Sequence, residues 1–401
     1  MKSGFGLLTN RTFVRIMSIE VRVMDGLGKL QLLGAAAQVE AAEDVGLFGQ
    51  RVTTSHAPPE LRQCISHATL PGGQRVPMLK TLVSSVCEND CKYCAFRAGR
   101  DTRRATFTPD ELARLSDQLW RKGLVKGIFL SSGVVGGGPR TQDTIIATAE
   151  ILRRKYRFPG FLHVKIMPGA ERDQVAETLR WADRVSLNLE APNAERIRAL
   201  SSTKDFRREL VAPLMTADRL RRALNPRVSL TTQFVVGAAQ ESDQELLRTS
   251  SWLYRHLSLA RAYYSAFQPV PDTPLEGHAY TPAWREHRLY QSDFLFRQYG
   301  FSLDELVFDE EGHLPQEADP KALWADAHPE FFPVEVNRAS RQALLRVPGL
   351  GPRSVSRILQ ERTQAPMRTL RALRGTGAVA ARAAPFVLLD GRRPDYQLRL
   401  W

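Results

Sequence analysis

Cysteine is scarce in this sequence. Four residues in 401 cannot build a disulfide framework, and three of them fall between positions 87 and 94, a crowding that favours metal chelation in a reducing compartment. Cytoplasm is therefore the expected location. No run of about eighteen apolar residues occurs, so no ordinary membrane-spanning helix is expected. The opening stretch MKSGFGLLTNRTFVRIMSIEVRV scatters basic residues through its apolar part and lacks the ordered regions of a signal peptide. An amphipathic run begins only at Met24, which makes Met17 or Met24 the expected start. Lysine is missing after residue 333. Val334 to Trp401 holds 13 arginines and four acids, so +9 of the net charge of +13 lies in the last sixth of the chain. That excess suits a polyanionic partner.

The rest reads as an ordinary globular protein, 43% hydrophobic and long enough for two or three domains. Apolar segments recur as candidate strands at 80–86, 127–133, 161–167, 184–190, 228–237 and 261–270. Helix-like stretches lie between them. In TPDELARLSDQLWRKG, Thr108 is the N-cap, Pro109 opens the first turn and Glu111 follows three residues after the cap. Six alternations predict a parallel sheet, and pattern alone leaves a barrel and a doubly wound sheet both open. The turn-rich acidic stretch DEEGHLPQEADPK (309–321) precedes the basic tail, which sets a domain boundary near residue 333.

Cys87, Cys91 and Cys94 follow C-x3-C-x2-C, with Tyr93 before the last, in the loop after the first strand, where parallel folds carry their chemistry. Three thiolates are one too few for a closed tetrahedral site. A zinc site completed by Cys64 or His67, in QCISH, is one reading, and a four-iron cluster with one open iron is the other. The spacing and the aromatic resemble the radical S-adenosylmethionine enzymes. That resemblance implies a partial (β/α)6 barrel of TIM type, a [4Fe-4S] cluster, and S-adenosylmethionine cleaved by an electron from the cluster to give a hydrogen-abstracting 5′-deoxyadenosyl radical.

The family's cofactor contacts then fall on particular residues. Ser131, Ser132 and Gly133 (LSSGVVGGG) stand where a Gly-Gly-Glu motif normally receives the amino group, although no carboxylate is present here. Tyr93 belongs to the cysteine loop. Asn188 and Glu190, two apart in SLNLE, share one side of a strand end and suit the ribose or the carboxylate. Gln233 resembles an adenine-contacting position, with Val235 and Gly237 read as packing. His163 and Lys165 are either substrate-facing or plain strand polars. Arg97, Arg100, Arg103 and Arg104 either meet an anionic substrate or form a solvated loop. No catalytic residue is named.

The tail carries a second signal. SRQALLRVPGLGPRSVSRILQERT (340–363) reads as helix, Gly-rich turn and helix, and resembles the helix-hairpin-helix, with Gly349 and Gly351 in the turn and Arg346, Arg353 and Arg357 around it. Such a turn approaches phosphate closely and reads the backbone rather than the bases. A degenerate copy follows around Gly375 and Gly377, where Thr376 replaces the usual apolar residue; it is read as structural. The combination resembles the DNA modification and repair radical proteins found with a uracil-DNA-glycosylase-like companion, although a cysteine expected within 35–55 is missing.

Together these readings give an α/β protein with four parts. Residues 1–77 are a helical or irregular extension, 78–275 the barrel, 276–333 an acidic linker or cap, and 334–401 an all-α helix-hairpin-helix domain that binds nucleic acid. The expected function is radical modification or repair of a nucleotide in DNA, with an electron donor such as a flavodoxin or ferredoxin. RNA as substrate, and a non-catalytic DNA-binding protein with a structural or redox-sensing cluster, are the alternatives.

Overall fold

The structure, a computed structural model, describes residues 25–37, 58–69 and 75–395. The start at Met17 or Met24, and most of the stretch where a further cysteine was expected, lie outside these residues. Helix α1 (Gly26–Ala37) precedes β1 (Ile65–Thr69) and β2 (Arg75–Leu82). Helix and strand then alternate through α2 (Pro109–Arg121), β3 (Gly127–Ser131), α3 (Gly137–Arg154), β4 (Phe161–Lys165), α4 (Arg172–Trp181), β5 (Arg184–Ser186), α5 (Ala194–Leu200), α6 (Ala212–Leu224), β6 (Ser229–Val236), α7 (Asp243–Leu257) and β7 (Arg261–Ala266). The expected cap of α2 is present, with Thr108 Oγ1 accepting from Glu111 N at 3.3 Å and Glu111 Oε2 accepting from Thr108 N at 3.4 Å.

The seven strands lie side by side in chain order. A doubly wound sheet reverses direction at a switch point. This one does not, and it curls into a half-barrel. From β2 to β7 all neighbours are parallel. β1, absent from the sequence reading, adds an antiparallel edge strand within the stretch expected to be an extension, pairing Ile65 with Leu79. β2 begins earlier than expected and ends at Leu82 because the chain then turns away, Val83 N donating to Ser131 O and Val83 O accepting from Phe107 N.

Alternation divides the sheet's two faces. Leu79, Ile128, Leu162, Val164, Val185 and Leu230 join one core with the surrounding helices. Their neighbours Lys80, His163, Lys165, Ser186, Thr231 and Gln233 are buried polar residues on the concave side. His163 shares a 2.9 Å hydrogen bond with Ser186. Burial, with Arg184, Lys165 and Lys80 nearby, lowers its pKa well below the ordinary histidine value, so the ring is neutral.

Residues 282–332 pack as a cap, with α8 (Ala283–Phe294) and α9 (Pro320–Ala327). Leu289, Leu295, Phe301, Leu306, Leu314 and Trp324 enter the barrel's core. A smaller core follows, built from β8 (Val334–Glu335), α10 (Arg341–Arg346), α11 (Pro352–Glu361), α12 (Leu370–Gly375), α13 (Ala380–Ala383) and β9 (Val387–Leu388). It is helical but not all-α, since β8 and β9 form a short parallel pair.

Candidate active site

The loops at the C-terminal ends of the strands enclose a cleft of about 1280 Å³, counting its open mouth. Cys87, Cys91, Cys94 and Tyr93 line it together with Ser132, Gly133, Lys165, Asn188, Glu190, Lys204, Gln233 and Val235. Residues from several separate segments thus meet in one space. Ser131 is fully buried in β3 and is not among the lining residues, so of the serine pair only Ser132 faces the cleft.

The cysteine loop is held from several sides. Cys87 Sγ accepts from Val134 N at 3.5 Å and Cys94 Sγ from Phe96 N at 3.4 Å. Gly133 is needed for close approach: a Cβ there would lie 2.2 Å from Val86 O and 3.1 Å from Cys87 Cβ. Glu88 accepts from Gly136 N at 2.5 Å and Gly137 N at 3.1 Å, tying the cysteine loop to the glycine-rich loop after β3. Asp90 grips the far side, accepting from Ser201 Oγ at 2.5 Å, Ser202 Oγ at 2.5 Å, Ser202 N at 3.0 Å and Thr203 Oγ1 at 2.9 Å. Burial alone would raise the Asp90 pKa, but these donors outweigh it and keep it well below the carboxylate range.

The grip on residues 201–203 brings the next residue, Lys204, into the cleft. Its Nζ lies 3.8 Å from Glu190 Oε1, with Cys91 nearby. Burial opposes its charge, yet Cys91 and Glu190 outweigh burial and raise its pKa. Glu190 sits at φ 64°, a left-handed conformation uncommon outside glycine. The chain re-pairs there, Glu190 N donating to Gln233 O at 2.9 Å and Glu190 O accepting from Val235 N at 2.8 Å. Burial, with the Glu190 carboxylate nearby, raises the Tyr93 pKa well above the ordinary phenol value. Asn188 Nδ2 donates to Gln233 Oε1 at 3.3 Å.

Cys64 does not complete a metal site with the cysteine loop. Cys64 is buried beside α1, its Sγ donating to Leu30 O at 3.2 Å, with burial pushing its pKa up to about 12. Among the described residues no three His, Cys, Asp or Glu side chains converge on one point, as a single tetrahedral ion requires. An iron–sulfur cube takes each thiolate at a different corner and needs no such convergence. Burial, with Cys91 beside it, pushes the Cys94 thiol up to about 12. Such a thiol ionises readily only when a metal replaces its proton.

The arginine loop divides. Arg104 donates to Ser85 O at 2.6 Å, Phe96 O at 2.9 Å, and Arg97 O and Arg100 O at 3.1 Å. Arg100 donates to Ala95 O at 2.9 Å and Pro271 O at 3.1 Å. These two brace the cysteine loop rather than face a ligand, because a guanidinium collects carbonyls that a loop cannot pair itself. Arg103 is exposed.

In the smaller core, Arg346 turns inward. It pairs with Glu305 at 2.8 Å, donates to Gly300 O at 3.2 Å and lies 3.8 Å over the Phe301 ring. The cap thus holds the guanidinium through one carboxylate, one carbonyl and a ring. Gly349 packs against Val379 O, and Gly351 N donates to Ser354 Oγ at 2.8 Å. Arg353 and Arg357 are exposed.

Sequence reasoning missed Glu88, Asp90 and Lys204. The first two stood in view within the cysteine spacer. Lys204, in SSTKD, carries no local signal.

Residues 81–253 match the profile of the radical SAM superfamily. Over 204 residues the chain is 24% identical to threonylcarbamoyladenosine tRNA methylthiotransferase MtaB of Thermotoga maritima, covering 48% of this chain and 44% of that protein. It is 24% identical over 191 residues to tRNA-2-methylthio-N(6)-dimethylallyladenosine synthase of Lachnoclostridium phytofermentans, covering 47% and 41%. The chain thus spans less than half the length of these curated relatives. Among solved structures, HydG, a maturase of the [FeFe]-hydrogenase, aligns with a TM-score of 0.43 at 14% identity, over 53% of this chain and 48% of the other.

Proposed function

We propose that this chain, whose residues 81–253 match the radical SAM superfamily, uses that superfamily's [4Fe-4S] cluster and S-adenosylmethionine to modify or repair a nucleotide within a polynucleotide, with DNA the first substrate class to test. The observation that carries the reading is one cleft shared by Cys87, Cys91, Cys94, Tyr93, Asn188, Glu190, Lys204 and Gln233, in a chain whose last 68 residues hold a net +9.

The three cysteines would hold the cluster. Ser132 and Gly133, with Asn188, Glu190 and Gln233 across the cleft, would orient the amino acid and nucleoside parts of the second cofactor; Lys204 would meet its carboxylate as a buried cation. When bound, the pair supplies one-electron cleavage of S-adenosylmethionine and hydrogen abstraction from substrate. Lys165, at the end of β4, also lines the cleft and suits an anionic group of the substrate. A low-potential donor such as a flavodoxin or ferredoxin would deliver the electron in the reducing cytoplasm, and a uracil-DNA-glycosylase-like companion is the partner to seek by co-purification. Among the described residues no helix is long and apolar enough to cross a membrane.

RNA is the second reading, favoured by the tRNA substrates in the names of the relatives. The test is anaerobic incubation of reduced protein with S-adenosylmethionine and either duplex DNA or tRNA. Formation of 5′-deoxyadenosine together with a mass change in DNA nucleosides supports the first reading. A change confined to RNA replaces it with the second, and cofactor cleavage with no change in either polymer ends both.

A further inference from the structure

The turn that best fits the hairpin signature, Val347 to Gly351, is closed from outside. Leu350 is buried, its carbonyl accepting from Lys321 Nζ at 2.6 Å. Leu350 N donates to Val347 O at 3.2 Å and Gly351 N to Ser354 Oγ. A Cβ on Gly349 would lie 2.6 Å from Val379 O, while one on Gly351 would lie 3.4 Å from Tyr299 Oη in the cap. Backbone groups so occupied cannot turn to a phosphate. This turn joins the two cores.

The degenerate turn is open. Gly375 and Gly377 are exposed. A Cβ on Gly375 meets nothing within 4 Å, and at Gly377 only Arg357 Nη1 comes near, at 3.7 Å. Arg357 Nη1 reaches Thr376 O at 3.5 Å. Arg353 lies one turn before it on α11 and Arg374 stands in the last turn of α12, both exposed. Two acids of this region are engaged elsewhere, Glu335 accepting from Asn337 N and Gly391 N and Asp390 pairing with Arg368, while Glu361 ends α11 one turn after Arg357. Among the described residues no ion pair neutralises Arg353, Arg357 or Arg374.

We infer that the surface formed by Arg353, Arg357, Arg374 and the Gly375–Gly377 turn receives a phosphodiester backbone, while the signature turn serves as a joint between the barrel's cap and the smaller core. Three cations around a turn without protruding side chains match a polyanion whose charges repeat along a chain. The inference rests on the proposed polynucleotide substrate and adds where that substrate is held.

The test uses the full chain and labelled 20-mers, duplex DNA and single-stranded RNA, over a range of salt. The triple variant Arg353→Gln, Arg357→Gln, Arg374→Gln should weaken binding roughly 10²- to 10³-fold. It should also lower the salt slope on duplex DNA by about 2 to 3, since each neutralised phosphate adds about 0.9. Gly375→Leu should weaken binding without moving the melting temperature by more than a few degrees, because open space surrounds it. The control Arg393→Gln, an exposed arginine beyond β9, should change affinity less than about 2-fold. Equal affinity of wild type and triple variant, with wild type binding tightly, overturns this surface alone. Wild type that binds neither polymer overturns the polynucleotide reading itself.

Discussion

Replacing Asp90 by alanine should open the loop that carries Lys204. The carboxylate takes two hydroxyl donors at 2.5 Å, from Ser201 and Ser202, a third at 2.9 Å from Thr203, and the Ser202 amide at 3.0 Å. Charge-assisted hydrogen bonds contribute about 1.5–3 kcal/mol each. Asp90 is only half-buried, and its donors regain water when released, so the net loss is about 2–4 kcal/mol rather than the sum. That corresponds to roughly 30- to 10³-fold less of the latched loop.

The assay is hydrogen exchange at the Ser202 and Thr203 amides, which should speed up by that factor in Asp90→Ala, with affinity for S-adenosylmethionine in the cluster-loaded protein falling about 10-fold or more. Asp90→Asn, which keeps an acceptor, should be intermediate. The folded pKa is depressed, so the latch is intact above the ordinary value of about 3.9 and is lost only as pH falls through the lower folded value. Protection, corrected for intrinsic rates, should therefore be equal at pH 7 and pH 5. Unchanged exchange in Asp90→Ala would refute the latch.

The remaining expectations concern the cluster, the joint and the cap. Anaerobic wild type should carry about four irons per chain; Cys87→Ala, Cys91→Ala and Cys94→Ala should each lose them on iron analysis, whereas Cys64→Ala should keep them and lose about 1–2 kcal/mol of stability. Gly133→Ala should lower iron content as well, because its Cβ would stand 2.2 Å from Val86 O. Lys321 is buried, which pushes its pKa down to about 7. From there to about 10.4 the unfolded chain holds the extra proton, so stability should rise with pH above 7 by up to about 1.4 kcal/mol per unit, and melts of Lys321→Met should lack that component. Arg346→Ala leaves Glu305 without its partner and bares Phe301; it should cost about 2–3 kcal/mol and speed proteolysis near residue 333.

Much of the site was local and therefore legible. The cysteine spacing, the aromatic at Tyr93 and the cap at Thr108 depend on residues within a turn of one another, and six apolar segments set the strands through short-range alternation. Their order in the sheet was not local. Whether strands run consecutively or reverse is decided by how helices pack across the sheet, so the strand pattern alone left barrel and doubly wound sheet equal; the cysteine motif's resemblance implied the barrel, and the chain-order neighbours of β2 through β7 bear it out.

The same distinction separates residues of one type. Arg346 and Arg357 look alike in sequence, eleven positions apart on one hairpin. Only the cap, through Glu305 and Phe301, turns the first inward while the second stays at the surface. The closer match to the hairpin signature became the buried joint, and the poorer copy stayed open, because a motif specifies its own turn and not what packs over it. Lys204 shows the limit most plainly. It follows Cys91 by more than a hundred positions, and its charge has meaning in the cleft only because Asp90 holds the preceding residues and Glu190 returns through a left-handed backbone to face it. Sequence determined which groups could carry the chemistry; long-range packing decided which of them share a space, since burial and charge pairing arise from neighbours that the chain order does not reveal.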